Sequence, residues 1–295
     1  MTRKPVPGLV WLMAGSAVDS TSGVLTRLTA SDGFTTASAR GFLAFLFLFM
    51  VLVIRDKGRV LPAIRGLGWW GLLFATMNSG GMVLNVLSLK LTAVANFFMI
   101  FATAPFVAAL LGWVFLREKL DRATFLAALA GFAGIAVMVS GGLTGGNLGD
   151  LLAMVVVLSY ALNVLIVRKA PKIDVLPLIC VTVLASGVIA LPLAHFGGLQ
   201  AADWRALVAL GFLQLGLGNV LIFTAVSKVT AAQAGLLGIM GAVFAPIWVL
   251  LALGEVPPTR TLLGGAVILT AAVLHFAWTL TRPRAELDAA SRRSG

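Results

Sequence analysis

Apolar residues in this chain come in long runs rather than in the alternating or one-sided patterns of a water-soluble fold. Uninterrupted apolar stretches of about 20 residues recur along it, the length a helix needs to cross a hydrocarbon core of roughly 30 Å. Read against their Gly, Pro and charge punctuation, the runs predict ten spans. The first five lie at 9–28, 35–54, 67–89, 91–116 and 123–140, and the second five at 148–167, 174–195, 205–227, 229–253 and 259–280. Asp19, Ser20, Thr21 and Ser22 interrupt the first run, which also has features of a cleaved leader: Arg3 and Lys4, an apolar stretch, then small residues near Ala17. Removing it would spoil the symmetry described next, so it is read as a span.

The two sets of five repeat one another. Leu91-Thr92-Ala93, Ala104-Pro105-Phe106-Val107-Ala108 and Leu116-Arg117-Glu118 in the first set answer to Val229-Thr230-Ala231, Gly241-Ala242-Val243-Phe244-Ala245 and Leu253-Gly254-Glu255 in the second. Glu118 and Glu255 are 137 residues apart, as are Pro105 and Ala242, while Lys90 and Lys228 precede the two threonines at an offset of 138. Five spans per half is an odd number, so the second half is predicted to lie upside down in the bilayer. Inverted repeats are the usual architecture of secondary transporters, because exchanging the conformations of the halves opens the opposite side.

Charge supports this arrangement. The 295 residues include 22 Lys and Arg against 11 Asp and Glu, a net charge of +11. With both termini in the cytoplasm, seventeen of the 22 basic residues fall in inner segments, as the positive-inside rule requires. The five outer ones are Arg27, Arg40, Lys90, Arg205 and Arg260. The positive charge therefore reflects orientation rather than nucleic-acid binding. The remaining composition, 60% hydrophobic and 11% charged, leaves no room between spans for a soluble catalytic domain. One cysteine and two histidines do not supply a Cys/His metal cluster. No G-x-x-x-x-G-K-[ST] phosphate loop occurs, so neither a cofactor nor ATP hydrolysis is expected. A membrane-embedded transferase would need an acid/base or metal constellation, and His195 and His275 lie on opposite sides.

Lys-Thr-Ala opening a span, a mid-span Pro-hydrophobe-hydrophobe-Ala and a closing Arg/Gly-Glu together resemble the EamA repeat, which defines part of the drug/metabolite transporter superfamily. The resemblance covers residues 9–140 and 148–280, with 281–295 as a cytoplasmic tail. It implies an all-α integral-membrane fold, ten helices in two inverted five-helix repeats around a central cavity. Spans 1–4 and 6–9 would line that cavity and spans 5 and 10 would be peripheral. It also implies export of small metabolites, mostly amino acids, and the chain is similar to amino-acid exporters of the YddG type. Two positions depart from the family pattern: Asp19-Ser20 replaces a mid-helix Trp-Gly, and Ala242 stands where Pro is common.

Polar residues inside the spans are the candidate chemistry. Asp19 is near the middle of span 1, where a carboxylate costs about 2.5–3.5 kcal/mol on insertion scales, and Ser16, Ser22 and Thr26 share its stripe. It could bind a substrate ammonium or carry a proton. The alternative is a structural acid paired with Arg27 or bonded to its own serines. Further candidates for substrate binding are Asn78 and Asn85 on span 3, Asn96, Phe101 and Thr103 on span 4, Tyr160 and Asn163 on span 6, and Gln214 on span 8. Interhelical hydrogen bonding explains any single amide as well; their concentration on cavity-lining spans favours a binding role. Pro105 and Pro246 are candidate hinges. Asn78-Ser79-Gly80-Gly81 could unwind span 3. Lys90 and Lys228 could hold a phosphate or simply snorkel to the interface. Ala127, Gly131, Gly134, Gly264 and Gly265 read as close helix packing. The expected partners are the lipid bilayer and a small-molecule substrate, amino acids or related metabolites, with protons as a coupling ion. The expected location is a bacterial inner membrane. Phosphorylated metabolites, nucleotide sugars and drug-like amines are the competing cargo.

Overall fold

A computed structural model describes residues 8–118, 120–140, 147–170, 173–226 and 236–281, and these are helical almost throughout. The helices are α1 (Gly8–Asp19), α2 (Ser22–Leu28), α3 (Gly33–Arg55), α4 (Val60–Arg65), α5 (Gly68–Leu91), α6 (Val94–Phe101) and α7 (Ala104–Leu116). They continue with α8 (Arg122–Val139), α9 (Asn147–Lys169), α10 (Val175–Ala190), α11 (Ala201–Val208), α12 (Gly218–Val226), α13 (Leu236–Leu253) and α14 (Thr259–Thr281). A π-helical stretch, Ala209–Leu217, joins α11 to α12. Eight helical runs are long and apolar enough to cross a membrane. The predicted first span is present as the two short helices α1 and α2, and the predicted ninth is described from Leu236 onward. Lys228, Thr230 and Ala231, and the tail beyond Thr281, lie outside the described residues.

Two breaks and the π stretch interrupt otherwise regular spans, each with a local cause. Between α1 and α2 the hydroxyls of Ser20 and Thr21 donate to the carbonyls of Ala17 (2.8 Å) and Val18 (2.6 Å). Val18 O also accepts the backbone N–H of Thr21 at 3.1 Å, so side-chain and backbone donors together hold the turn between the two helices. Between α6 and α7, Pro105 has no N–H to give, and its ring crowds the carbonyl four residues back; the chain instead turns at Ala102-Thr103, and Thr103 Oγ1 donates to Ile100 O at 2.7 Å. In the second repeat Ala242 replaces that proline, and α13 runs unbroken through it and past Pro246. Asn78-Ser79-Gly80-Gly81 does not unwind: α5 is continuous from Gly68 to Leu91.

The repeated closing motif has a backbone explanation. Arg117 has φ +55° and Gly254, 137 residues later, has φ +66°. A left-handed residue just past a helix ends it, and in both repeats this places the following glutamate beyond the helix. Glu118 there meets Arg168 at 2.6 Å, and Glu255 meets Arg27 at 3.9 Å. Each ion pair joins the last helix of a motif to the first span of the other half. They sit at opposite ends of the fold, since Arg27 also donates to Thr92 O at 2.7 Å, just before α6, whereas Glu118 follows α7.

Packing uses small residues where backbones meet. The α8–α14 pair closes over Gly134 and Gly264; a Cβ on Gly134 would lie 2.7 Å from the Gly264 carbonyl oxygen. Similarly, α3 and α10 meet at Gly41 and Gly187, and Ser38 Oγ donates to Gly187 O at 3.0 Å. The largest buried cluster, built on Phe97, Phe98, Ile100, Val156, Ala245 and Ile268, ties α6 to α9, α13 and α14.

Candidate functional site

A cavity of about 220 Å³ lies where the irregular segments converge. Non-helical and π-helical backbone at membrane depth is tolerated where it lines a cavity, and here Asp19 closes α1, Phe101 closes α6 and Gln214 sits in the π stretch. The polar lining comes from α1, α2, α3, α5, α9, the π stretch and α12: Asp19, Ser22, Arg40, Asn78, Asn85, Ser159, Gln214 and Asn219. Phe97, Phe98, Phe101 and Tyr160 form one wall, with Phe97 and Phe101 stacked at 6.0 Å and Tyr160 edge-on to Phe101 at 5.3 Å.

Asp19 accepts a hydrogen bond from Gln214 Nε2 at 2.8 Å. Its electrostatic partner is Arg40, not Arg27: Arg27 is occupied by Thr92 O and Glu255. The neighbouring hydroxyls do not bond to it either, because Ser16 donates back to Leu12 O and Ser20 to Ala17 O. Ser20 Oγ in turn accepts from Trp248 Nε1 at 3.0 Å, which fixes the break against α13. Arg40 is 4% exposed and reaches Met82 O at 3.4 Å. Asp19 and Arg40 face one cavity, yet among the described residues no ion pair within 4.0 Å joins them. Two amide oxygens on the lining, Gln214 Oε1 and Asn85 Oδ1, are buried without a hydrogen-bond partner.

Of the residues singled out from the sequence, Asp19, Ser22, Asn78, Asn85, Phe101, Tyr160 and Gln214 lie on this cavity, and Asn96, Thr103 and Asn163 do not. Asn163 stands behind Asn78, donating to its Oδ1 at 3.4 Å. Thr103 is spent on the backbone of the α6–α7 break and packs toward Gly131. Asn96 faces a second polar cluster: its Nδ2 donates to Asp150 Oδ1 at 3.2 Å, its Oδ1 accepts from Thr261, and Thr92 Oγ1 donates to Asp150 at 2.5 Å. The chain turns at Ala102-Thr103, so Asn96 and Thr103 do not share one continuous helix. Pro105 opens α7, and Pro246 lies inside α13. Lys90 is half-buried and caps α2, its Nζ donating to Thr29 O at 2.6 Å. His275 is held by Thr124 Oγ1 at 2.9 Å and packs edge-on against Phe106.

Sequence reasoning missed two residues. Arg40 was assigned to an outer helix end by its sign, although it lies eight residues into a helix that begins at Gly33; a charge that deep in an apolar run was the available signal. Asp150, 6% exposed, was overlooked because it opens a span rather than interrupting one.

The family model described as the EamA-like transporter family matches residues 6–140 and again 147–277. No curated protein matches the chain. Among solved structures 22 chains match. One of them, described only as the crystal structure of a protein, is 17% identical and superposes with a TM-score of 0.67 over 93% of this chain and 97% of its own. At that identity the likeness concerns the fold alone.

Proposed function

Because the chain belongs to the EamA-like transporter family of drug/metabolite transporters, we propose that it exports small metabolites, amino acids first among them, by alternating access. It would do so as a secondary transporter in a bacterial inner membrane, with ten spans and both termini cytoplasmic. The observation that carries this reading is the cavity itself. A chamber of about 220 Å³, somewhat below the usual range for ligand pockets, gathers a carboxylate, a guanidinium, three asparagines and a glutamine against an aromatic wall. A protein needing only to hold helices together has no use for unpartnered amide oxygens there, since each unmet acceptor costs about 1–3 kcal/mol.

Alternating access finds support in the two end-of-motif ion pairs. Arg168–Glu118 is closed at 2.6 Å while Arg27–Glu255 stands at 3.9 Å, the asymmetry expected when one end of an inverted-repeat transporter is shut and the other is loosened. Phosphorylated cargo is less well served. Among the described residues Arg40 is the one cation on the cavity lining and is faced by Asp19, while Lys90 is committed to Thr29 O. Reconstitution into proteoliposomes and counterflow of labelled amino acids at several pH values tests the proposal. Saturable exchange is expected for some of them, and none for sugar phosphates. Exchange of sugar phosphates alone would replace the substrate class.

A further inference from the structure

We infer that the cavity reads a zwitterion by dividing its two charges, the substrate carboxylate going to Arg40 and the ammonium to Asp19. This rests on the transport reading above and deepens it, since that reading puts amino acids first without saying which residues hold which charge or which side chains fit.

Four observations point to a dipolar, net-neutral ligand. Opposite charges buried in one chamber would gain most by touching, yet Asp19 and Arg40 stand apart, one bonded by Gln214 Nε2 at 2.8 Å and the other, among the described residues, by Met82 O at 3.4 Å. A gap between fixed opposite charges is complementary to a molecule carrying both signs. Second, a guanidinium offers five N–H donors in a fork that fits a carboxylate, and among the described residues Arg40 engages one protein acceptor, at the long limit of a hydrogen bond. Third, an ammonium brings three N–H donors, and the lining offers Asp19 together with Gln214 Oε1 and Asn85 Oδ1, two buried acceptors with no partner. Fourth, three of the four residues on the facing wall, Phe97, Phe98 and Phe101, have no polar group to offer, with Tyr160 beside them carrying one hydroxyl, so most of the wall suits an apolar side chain. A dianion would be repelled by Asp19, and a simple cation by Arg40. The class that satisfies all four is an α-amino acid with an apolar side chain.

The test uses the purified full chain and two ligand triads: leucine with leucinamide and 4-methylpentanoate, and phenylalanine with phenylalaninamide and 3-phenylpropanoate. Equilibrium binding to the native protein should favour at least one amino acid over both of its analogues by roughly 30-fold or more, the usual consequence of leaving one buried charge unmatched. Arg40→Gln should erase the preference over the amide while leaving the preference over the deaminated acid; Asp19→Asn should do the reverse. Arg40→Lys, which keeps the charge but not the fork, should retain part of the first preference and serves if Arg40→Gln does not fold. Equal binding of amino acid and analogues to the native protein, or variants that weaken both preferences alike, would overturn the assignment. Counterflow separates this failure from failure of the transport reading. Amino acids bound selectively but never carried would refute transport and leave the site standing. Carriage of a metabolite lacking one of the charges, with no amino-acid binding, would refute the site and leave transport standing.

Discussion

Gly41→Ala and Gly80→Ala are the same chemical change in two membrane helices, and the structure gives them opposite signs. A Cβ built on Gly41 would stand 2.6 Å from Gly187 N, 2.7 Å from Val183 O and 2.8 Å from Gly187 Cα, all backbone atoms of α10. No side-chain rotation can relieve those contacts, so α3 and α10 must separate. Overpacking of this kind costs about 1–3 kcal/mol, against a helix-propensity gain of about 0.5–1 kcal/mol for Ala over Gly. The net expectation is destabilisation by roughly 0–2.5 kcal/mol. A Cβ on Gly80 meets nothing within 4 Å, so only the propensity gain remains and the variant should be stabilised by about 0.5–1 kcal/mol. The chain contains one cysteine, Cys180, which is buried in α10 itself. Thermal unfolding in one detergent, read by a thiol-reactive fluorogenic dye, therefore reports on the helix under test. The midpoint should fall for Gly41→Ala and rise for Gly80→Ala. A Gly41→Ala midpoint at or above that of Gly80→Ala would refute the close α3–α10 approach, and a destabilised Gly80→Ala would refute the continuous helix through Asn78-Ser79-Gly80-Gly81.

Glu118→Gln and Glu255→Gln should bias access in opposite directions. Each removes one ion pair, exposed for Arg168–Glu118 and half-buried for Arg27–Glu255, worth about 1 kcal/mol, a shift of about fivefold in a two-state equilibrium; labelling of Ser22→Cys in a Cys180→Ala background, from either side of sealed vesicles, measures it. Asp32→Ala should cost about 0.5–2 kcal/mol by removing the cap of α3, where Asp32 accepts from Phe34 N at 2.8 Å and Thr35 N at 2.9 Å. Partial burial opposes ionisation of Asp32, but the Thr35 hydroxyl and the two N–H groups outweigh it and hold the carboxyl below its ordinary range. The capping contribution is therefore complete above about pH 4, the unfolded value, and lost as pH falls through the depressed folded one. The stability gap between native and Asp32→Ala protein should shrink between pH 7 and pH 3.

The helical runs could be read from the sequence because hydrocarbon thickness sets their length, and 20-residue apolar runs have few other readings. The interruptions were harder. Asp19 through Ser22 showed as polarity inside span 1, and there the break lies. Pro105 signalled the break in span 4, but a kinked helix and a divided one look alike in sequence, so it could not be read there that Phe101 lines the cavity while Asn96 and Thr103 do not. The π stretch left no sequence mark at all. Gln214 and Asn219 are five residues apart, which separates them on an α-helix, yet the i→i+5 geometry of the π stretch brings both to the cavity. Arg40 was obscured by a rule that is correct on average: counting basic residues by side assigns each to a membrane face, whereas this one is buried and faces, across one cavity, a carboxylate supplied by another helix. Tertiary partners of that kind, like the Asp150 cluster, depend on which helices touch, and one sequence does not state that.

Counterflow tests the central claim most directly. Proteoliposomes loaded with unlabelled leucine or phenylalanine, diluted into the labelled amino acid, should accumulate label transiently and saturably, and Asp19→Asn and Arg40→Gln should each abolish that overshoot. No overshoot for either amino acid from correctly folded protein, or an overshoot unchanged in both variants, would contradict an amino-acid transporter working through this cavity.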